Sequence, residues 1–112
     1  MKALRIHEHG GVDVLQLDDI AQPVLSINQV IVDVKATSLN HLDIWVRKGI
    51  PGIPLPLIMG SDAAGIISDV GDGVKKSRIG EKVMIQPLIF CGKCAFCNKG
   101  KENLCESIGI MG

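Results

Sequence analysis

The chain has 112 residues, with twelve basic and twelve acidic side chains, and this length suits one domain with a modest core. The zero net charge and the lack of a basic stripe give no indication of a nucleic-acid partner or of attraction to a membrane. Hydrophobic residues make up 46% of the chain and aromatic residues only 3%, so aliphatic side chains must fill the core. Because no apolar run approaches the roughly 18 residues of a membrane span, we expect a cytoplasmic protein.

Strand patterns dominate the chain. Alternating or β-branched segments predict strands at residues 2–7, 12–20, 29–36, 63–70 and 82–86. The alternation is clearest in the third segment, where Val30, Val32 and Val34 should face one side of the sheet. Glycine-containing turns at residues 71–73 and 80–81 separate the last two strands.

One short helix is predicted at residues 40–48. Asn40 is a suitable N-cap, and Asp43 can reach back to the backbone amide of Asn40, as in a capping box. Gly49 should end the helix. The next stretch, residues 50–60, contains three prolines and reads as a stiff, extended and largely apolar connector that would line a pocket.

Four cysteines lie within fifteen residues, and the chain has no others. They are Cys91, Cys94, Cys97 and Cys105. This C-x2-C-x2-C-x7-C spacing offers four thiolates to one closed tetrahedral zinc site, with Zn–S bonds of about 2.3 Å. Because protein would fill every ligand position, we expect one structural Zn²⁺ per subunit, holding together a lobe at residues 91–105.

Two other interpretations of the cysteines stay open at this point. Iron–sulfur motifs also begin with C-x2-C-x2-C, but there the fourth cysteine follows after three residues and precedes proline. Here seven residues intervene, and Glu106 follows Cys105. Disulfides are the other alternative, although clustered cysteines in a reducing compartment more often bind a metal.

The sequence also lacks a dinucleotide-binding fingerprint. No G-x-G-x-x-G motif lies between a strand and a helix, so no phosphate cradle is indicated. The chain ends at residues 109–112 without a capping element. We therefore expect a truncated piece of a longer enzyme.

Several segments, in their order along the chain, carry a family resemblance. They are residues 36–43 (ATSLNHLD), 56–65 (PLIMGSDAAG), 70–74 (VGDGV) and 80–83 (GEKV), followed by the cysteine lobe. Together they resemble the N-terminal GroES-like domain of the medium-chain dehydrogenase/reductase superfamily, which includes zinc alcohol dehydrogenases and quinone reductases. The resemblance covers essentially all of residues 1–112. It implies a mainly β fold, a partly open GroES-like barrel with a short helix and a four-cysteine zinc lobe.

The resemblance also implies parts that this chain does not contain. Family members have a Rossmann-fold domain that binds NAD(H) or NADP(H), and their active site lies in the cleft between the two domains. Residues 1–112 would then be the catalytic domain alone, inactive by itself. The full-length enzyme would act on a small-molecule carbonyl, quinone or alcohol and would form a dimer or a tetramer.

The sequence departs from the zinc alcohol dehydrogenases at the expected catalytic-metal ligands. The resemblance places Asn40 at a ligand cysteine, and Ser61 and Asp62 at the His and Glu of a Gly-His-Glu motif. Asn and Ser are poor zinc ligands, and one carboxylate cannot hold the metal alone. The positions of the usual proton relay hold Leu42 and Trp45.

This Asn-x-x-Asp helix start with a Gly-Ser-Asp motif resembles the zinc-free quinone reductases of the zeta-crystallin type. We therefore expect hydride transfer to a conjugated carbonyl or quinone. The candidate catalytic residues are Asn40, His41, Asp43, Ser61 and Asp62. Asn40 and His41 are also the candidates for contacting the nicotinamide, although Asn40 and Asp43 have a structural explanation as helix caps.

Two alternative functions stay open. The first is a zinc-type alcohol or aldehyde dehydrogenase, in which His41 and Asp62 would share a catalytic metal with a residue outside the chain. The second is a non-enzymatic GroES-like binding module, which would have no need of the cysteine lobe.

Overall fold

The computed structural model describes residues 1–111. Its strands, in chain order, are β1 (Lys2–Ile6), β2 (Leu15–Asp19), β3 (Val30–Ala36), β4 (Leu57–Ile58), β5 (Ala64–Val70), β6 (Lys82–Met84), β7 (Leu88–Ile89) and β8 (Gly109–Ile110). One α-helix, α1 (His41–Lys48), lies within the described chain. Eight strands against one α-helix in this part of the chain confirm the predicted mainly β fold class.

The strands form three small antiparallel sheets in the described part of the chain, with the orders β2-β1-β4, β3-β5-β6 and β7-β8. β1 and β5 are the central strands of the first two sheets. Their side chains Ile6 and Ile67 are the most deeply buried, at 0% and 1% exposure. The core is therefore aliphatic, as the composition predicts, and it lies where central strands are covered by their neighbours.

The prediction of one continuous strand at residues 12–20 was wrong in its first part. Val12–Val14 form a 3-10 turn, and β2 begins at Leu15. The turn buries Val14 against Gly10, where an added Cβ would lie 2.8 Å from a Val14 methyl carbon. Packing of Val14 against this glycine explains why the turn replaces an extended start.

The pairing of β3 with β5 is irregular at two places. The register shifts between Ile31 and Val32, and again between Val34 and Ala36. The first shift omits Ser68 of β5 and no residue of β3, so Val30, Val32 and Val34 stay on one side of the strand. This side is only partly covered, since Val34 is 55% exposed.

The limits of α1 follow the predicted capping residues. The carboxylate of Asp43 accepts a hydrogen bond from the backbone N–H of Asn40 at 2.7 Å. At the other end, Gly49 has a φ of +121°, and its N–H donates to the carbonyl of Trp45 at 2.9 Å.

None of the helices in residues 1–111 has the length and apolar character needed to cross a membrane.

The connector at residues 50–60 is partly a strand. Within it, β4 pairs with β1, with Leu57 opposite Ile6 and Ile58 opposite Arg5. This pairing fixes the path of the chain just before Ser61.

Replacing Ile67 with alanine should lower the free energy of unfolding by about 2–5 kcal/mol, because it leaves a cavity in the core. Denaturant unfolding of the variant and the parent measures the loss. The matched control is Ile27→Ala, which removes the same atoms from a side chain that is 70% exposed. It should change the free energy by no more than about 0.5 kcal/mol. Equal losses in both variants would contradict this account of the core.

Candidate metal centre and reaction site

The four cysteine sulfur atoms converge on one point. The Sγ atoms of Cys91, Cys94, Cys97 and Cys105 all lie within 4.8 Å of one another. A tetrahedron with bonds of about 2.3 Å separates its sulfur atoms by about 3.8 Å, and the Cys91 and Cys97 sulfur atoms are 4.0 Å apart. Within residues 1–111, this is the only group of three or more Cys, His, Asp or Glu side chains with such an arrangement.

Backbone amides surround the sulfur atoms, because the lobe folds as a series of tight turns. The N–H groups of Cys91 and Ser107 donate to Cys105 Sγ at 3.3 and 3.4 Å, and these bonds lower the pKa of the Cys105 thiol. Hydrogen bonding from the backbone of Cys97 leads the effects that lower the pKa of Cys94 to about 6. These amides favour thiolates, the form that binds metals.

Cys97 behaves in the opposite way. Burial raises the pKa of its thiol to about 12, and the hydrogen bond with Cys94 acts in the same direction. Four neighbouring thiols cannot all ionise without a cation to offset their charge. The donor set and its spacing therefore fit a divalent metal.

A second polar cluster is centred on the Asp62 carboxylate. Its Oδ2 accepts hydrogen bonds from Ser38 Oγ at 2.6 Å and from Asn40 Nδ2 at 2.8 Å. Thr37 Oγ1 donates to the backbone carbonyl of Asp62 at 2.7 Å. The bond from Ser38, and then that from Asn40, hold the pKa of Asp62 below its usual value. The carboxylate is ionised at neutral pH, and it fixes the Asn40 amide with the nitrogen facing it.

The sheet brings this cluster together. β3 and β5 are paired with Ala36 opposite Ala64, so the chain leaving β3 and the chain entering β5 lie side by side. The first of these supplies Ser38 and Asn40, and the second supplies Asp62. The contact joins residues that are more than twenty positions apart in the sequence.

The residues at the expected catalytic-metal positions do not fit a metal. Asn40 directs an N–H donor at Asp62, and the same carboxylate oxygen also accepts from Ser38. Ser61 lines the neighbouring cavity, and its hydroxyl is a poor zinc ligand. We therefore assign no reaction step to a metal held by these residues.

The remaining predicted catalytic residues lie outside the Asp62 cluster. Asp43 is occupied in capping α1, although it also reaches the cavity wall. His41 packs edge-on against Trp45, with ring centroids 4.9 Å apart. The sequence interpretation missed Ser38 and Thr37, whose adjacent hydroxyls before the N-cap were the available signal.

An apolar cavity of about 580 Å³ lies beside Ser61. Its walls come from α1, from the connector and from the small β7-β8 sheet. Representative lining residues are Leu42, Val46, Ile53, Leu57, Ile108 and Ile110. Asp43 and Ser61 are the polar residues among those that line it, and no lysine, arginine or histidine takes part. The cavity therefore suits an uncharged, largely aliphatic ligand.

A sequence profile of the family described as "Alcohol dehydrogenase GroES-like domain" matches residues 26–112. The chain belongs to this family. The superfamily resemblance predicted from the sequence motifs is thereby confirmed.

The chain is similar to alcohol dehydrogenases over most of its length. It is 38% identical to the enzyme of Geobacillus stearothermophilus over 96 residues, covering 82% of this chain and 28% of that protein. It is 31% identical to the enzyme of Schizosaccharomyces pombe over 109 residues, covering 95% of this chain and 31% of that protein. The chain thus spans about a third of the length of the relatives it matches.

Solved structures give the same picture. An NAD-dependent alcohol dehydrogenase matches with a TM-score of 0.93 and 41% identity, over 100% of this chain and 33% of that one. A cobalt- and zinc-bound thermostable alcohol dehydrogenase from Pyrobaculum aerophilum matches with a TM-score of 0.87 and 31% identity, over 99% of this chain and 35% of that one. A mycobacterial quinone oxidoreductase matches with a TM-score of 0.67 and 30% identity, over 75% of this chain and 27% of that one. These relatives fit the alcohol dehydrogenase alternative better than the quinone reductase interpretation.

Replacing Ser38 with alanine should raise the pKa of the Asp62 carboxyl toward its ordinary value, because it removes the hydrogen bond that lowers this pKa most. NMR titration of the Asp62 carboxyl carbon measures the shift. The matched control is Ser68→Ala, since Ser68 donates to the carbonyl of Ile31 and not to Asp62. An unchanged pKa in Ser38→Ala would contradict the hydrogen-bond assignment.

The same variant has a predictable dependence of stability on pH. A depressed carboxyl pKa stabilises the fold above the unfolded-state value of 3.8, and this contribution is lost as the pH falls through the folded-state pKa. Ser38→Ala should therefore be less stable than the parent at pH 7. The difference should shrink below pH 3.8. Denaturant unfolding at both pH values measures it, and a difference independent of pH would argue against the ionic contribution.

Proposed function

We propose that this chain is the N-terminal catalytic domain of an NAD(H)- or NADP(H)-dependent dehydrogenase that interconverts an alcohol and its carbonyl compound. The observation that best supports this proposal is the fold match, over the whole chain, to an NAD-dependent alcohol dehydrogenase. The substrates would be small molecules, and the full-length enzyme would be a dimer or a tetramer, as the family resemblance implies.

The cofactor domain would be a separate Rossmann-fold unit outside residues 1–112. The chain covers about a third of its relatives, which leaves room in them for such a domain. No dinucleotide phosphate cradle is present in this sequence. On this proposal the isolated chain binds no nucleotide tightly and catalyses nothing.

The cysteine lobe would hold one zinc ion through its four thiolates. Because protein sulfur atoms fill all four positions, no water can be activated there, and the metal is structural. The convergence of the sulfur atoms supports this assignment. The similar enzyme from Pyrobaculum aerophilum, whose structure contains zinc, is in keeping with it.

The reaction site would use Asn40 as a hydrogen-bond donor to the substrate oxygen. One N–H of its Nδ2 is held by Asp62, and the second can donate to a carbonyl or alkoxide oxygen. Asp62 is then a positioning residue, since it fixes the amide orientation. The bound nicotinamide would donate or accept the hydride. The apolar cavity would hold the hydrocarbon part of the substrate and exclude water.

A quinone or conjugated-carbonyl reductase is the second candidate. It is favoured by the hydrogen-bonded Asn40 and Asp62, which occupy positions where the alcohol dehydrogenase resemblance would place metal ligands. The similarity to a mycobacterial quinone oxidoreductase points the same way. The two candidates share the proposed roles of Asn40 and Asp62 and differ in the electron acceptor.

Turnover assays of the full-length enzyme separate the two candidates. Aliphatic alcohols with NAD⁺ or NADP⁺ should give reduced cofactor, measured by its absorbance. Oxidation of NADH or NADPH by quinones and enones, with no turnover of any alcohol, would favour the second candidate. No turnover in either direction would reject both.

Asn40→Ser tests the proposed donor, because serine preserves an N-cap side chain but lacks the amide. We expect kcat to fall on the order of 10²-fold, the usual cost of losing one donor to a developing oxyanion. The matched control is Asn103→Ser, at an exposed position outside the cluster, which should retain full activity. Unchanged kcat in Asn40→Ser would contradict this role.

Metal analysis tests the division between a structural metal and a metal-free reaction site. We expect one zinc per chain, and Cys105→Ser should lose it, because Cys105 contributes one of the four sulfur atoms. The matched control is Ser107→Ala, which removes an exposed hydroxyl nearby and should retain the zinc. Two zinc ions per chain in the full-length enzyme would contradict the metal-free site, and bound iron would contradict zinc.

A further inference from the structure

The base of the cysteine lobe forms one wall of the apolar cavity. Leu88 of β7 and Gly109 and Ile110 of β8 all line it, together with Ile108. β7 and β8 pair antiparallel, with Leu88 opposite Ile110. The opposite wall comes from α1 and from the connector at residues 50–60.

Both strands of this wall run directly into metal-binding cysteines. β7 ends two residues before Cys91, and β8 begins four residues after Cys105. The N–H of Cys91 donates to Cys105 Sγ at 3.3 Å, so the two ends of the lobe meet. The N–H of Ile108 donates to the carbonyl of Cys105 at 3.2 Å, which ties the cavity lining to the fourth cysteine.

The β7-β8 sheet has little support of its own. Each strand has two residues, and an isolated two-stranded ribbon is at best marginally stable in water. One further backbone bond extends the pairing, from the N–H of Met111 to the carbonyl of Pro87 at 2.8 Å. Ile89 and Ile110 are each about half exposed, so burial adds little. Closure of the lobe is therefore the main restraint on this wall.

The opposite wall is anchored independently of the lobe. Arg47 of α1 donates from Nη1 to the carbonyl of Gly10 at 2.7 Å, and the N–H of Gly10 donates to the carbonyl of Arg47 at 2.9 Å. The connector is held by the pairing of β4 with β1. One side of the cavity thus belongs to the main fold, and the other belongs to the cysteine lobe.

We propose that occupancy of the four-cysteine metal site sets the shape of the apolar cavity through the β7-β8 sheet. The metal then controls ligand affinity at a site it does not touch. This inference rests on the proposed structural zinc, but it does not depend on the proposed reaction. Without the metal, β7 and β8 are closed by hydrogen bonds such as that from the Cys91 N–H to Cys105 Sγ, and the wall formed by Ile108 and Ile110 loses its fixed position.

Methyl NMR of the zinc-loaded and chelated protein tests the proposal, with 1-hexanol as an uncharged aliphatic probe. We expect chelation to shift or broaden the Ile108 and Ile110 methyl signals and to weaken 1-hexanol binding at least about tenfold. The methyl signals of Ile6 and Ile67, deep in the core, should stay in place. Adding zinc back should restore both the signals and the affinity.

Two variants separate the wall from the metal. Ile110→Ala should retain zinc and weaken 1-hexanol binding by a comparable factor, because it removes the lining side chain directly. The control Lys99→Ala lies in the lobe, is exposed and does not line the cavity, so it should retain both zinc and affinity.

Two results would overturn the proposal. One is a 1-hexanol affinity that stays within about twofold after zinc removal. The other is loss of the Ile6 and Ile67 signals together with those of Ile108 and Ile110, since the metal would then hold the whole domain rather than one wall. Neither readout requires turnover. Failure of the dehydrogenase proposal and failure of this inference are therefore distinguishable.

Discussion

The antiparallel pairing of β3 with β5 is the constraint on which the Asp62 cluster depends. It needs a close approach of the two strands at Gly65, where an added Cβ would lie 2.2 Å from the carbonyl oxygen of Asp33. No side chain can be accommodated against backbone at that distance without moving a strand. Because the strands are held this closely, the chain leaving Ala36 passes beside the chain entering Ala64, and the donors of one meet the carboxylate of the other.

Features governed by neighbours in the sequence could be predicted from the sequence alone. The limits of α1 depend on Asn40, Asp43 and Gly49, which act on backbone groups within one turn of the helix. The cysteine set could be predicted for a similar reason, since its spacing confines four ligands to one short loop. The strand segments were found because alternation of side chains is a local property of the backbone.

Features that depend on distant segments could not be predicted. The two register shifts between β3 and β5 depend on how the strands fit together, and the bond from Ser38 to Asp62 needs the fold to bring these residues close. The lobe's contribution to the cavity is invisible until β7 meets β8. A few candidate site positions, such as Asn40 and Asp62, favour a quinone reductase, whereas the chain as a whole resembles alcohol dehydrogenases more strongly.

The position of Trp45 on α1, edge-on to His41, has a practical consequence. Trp45 is the only tryptophan of the sequence, and the residue is about half exposed on the same helix that forms one side of the cavity. Tryptophan fluorescence from residues 1–112 therefore comes from this one side chain. The wavelength of its emission maximum depends on the polarity around that ring. Docking of another domain over α1 would therefore shift the emission spectrum, with no added dye or tag.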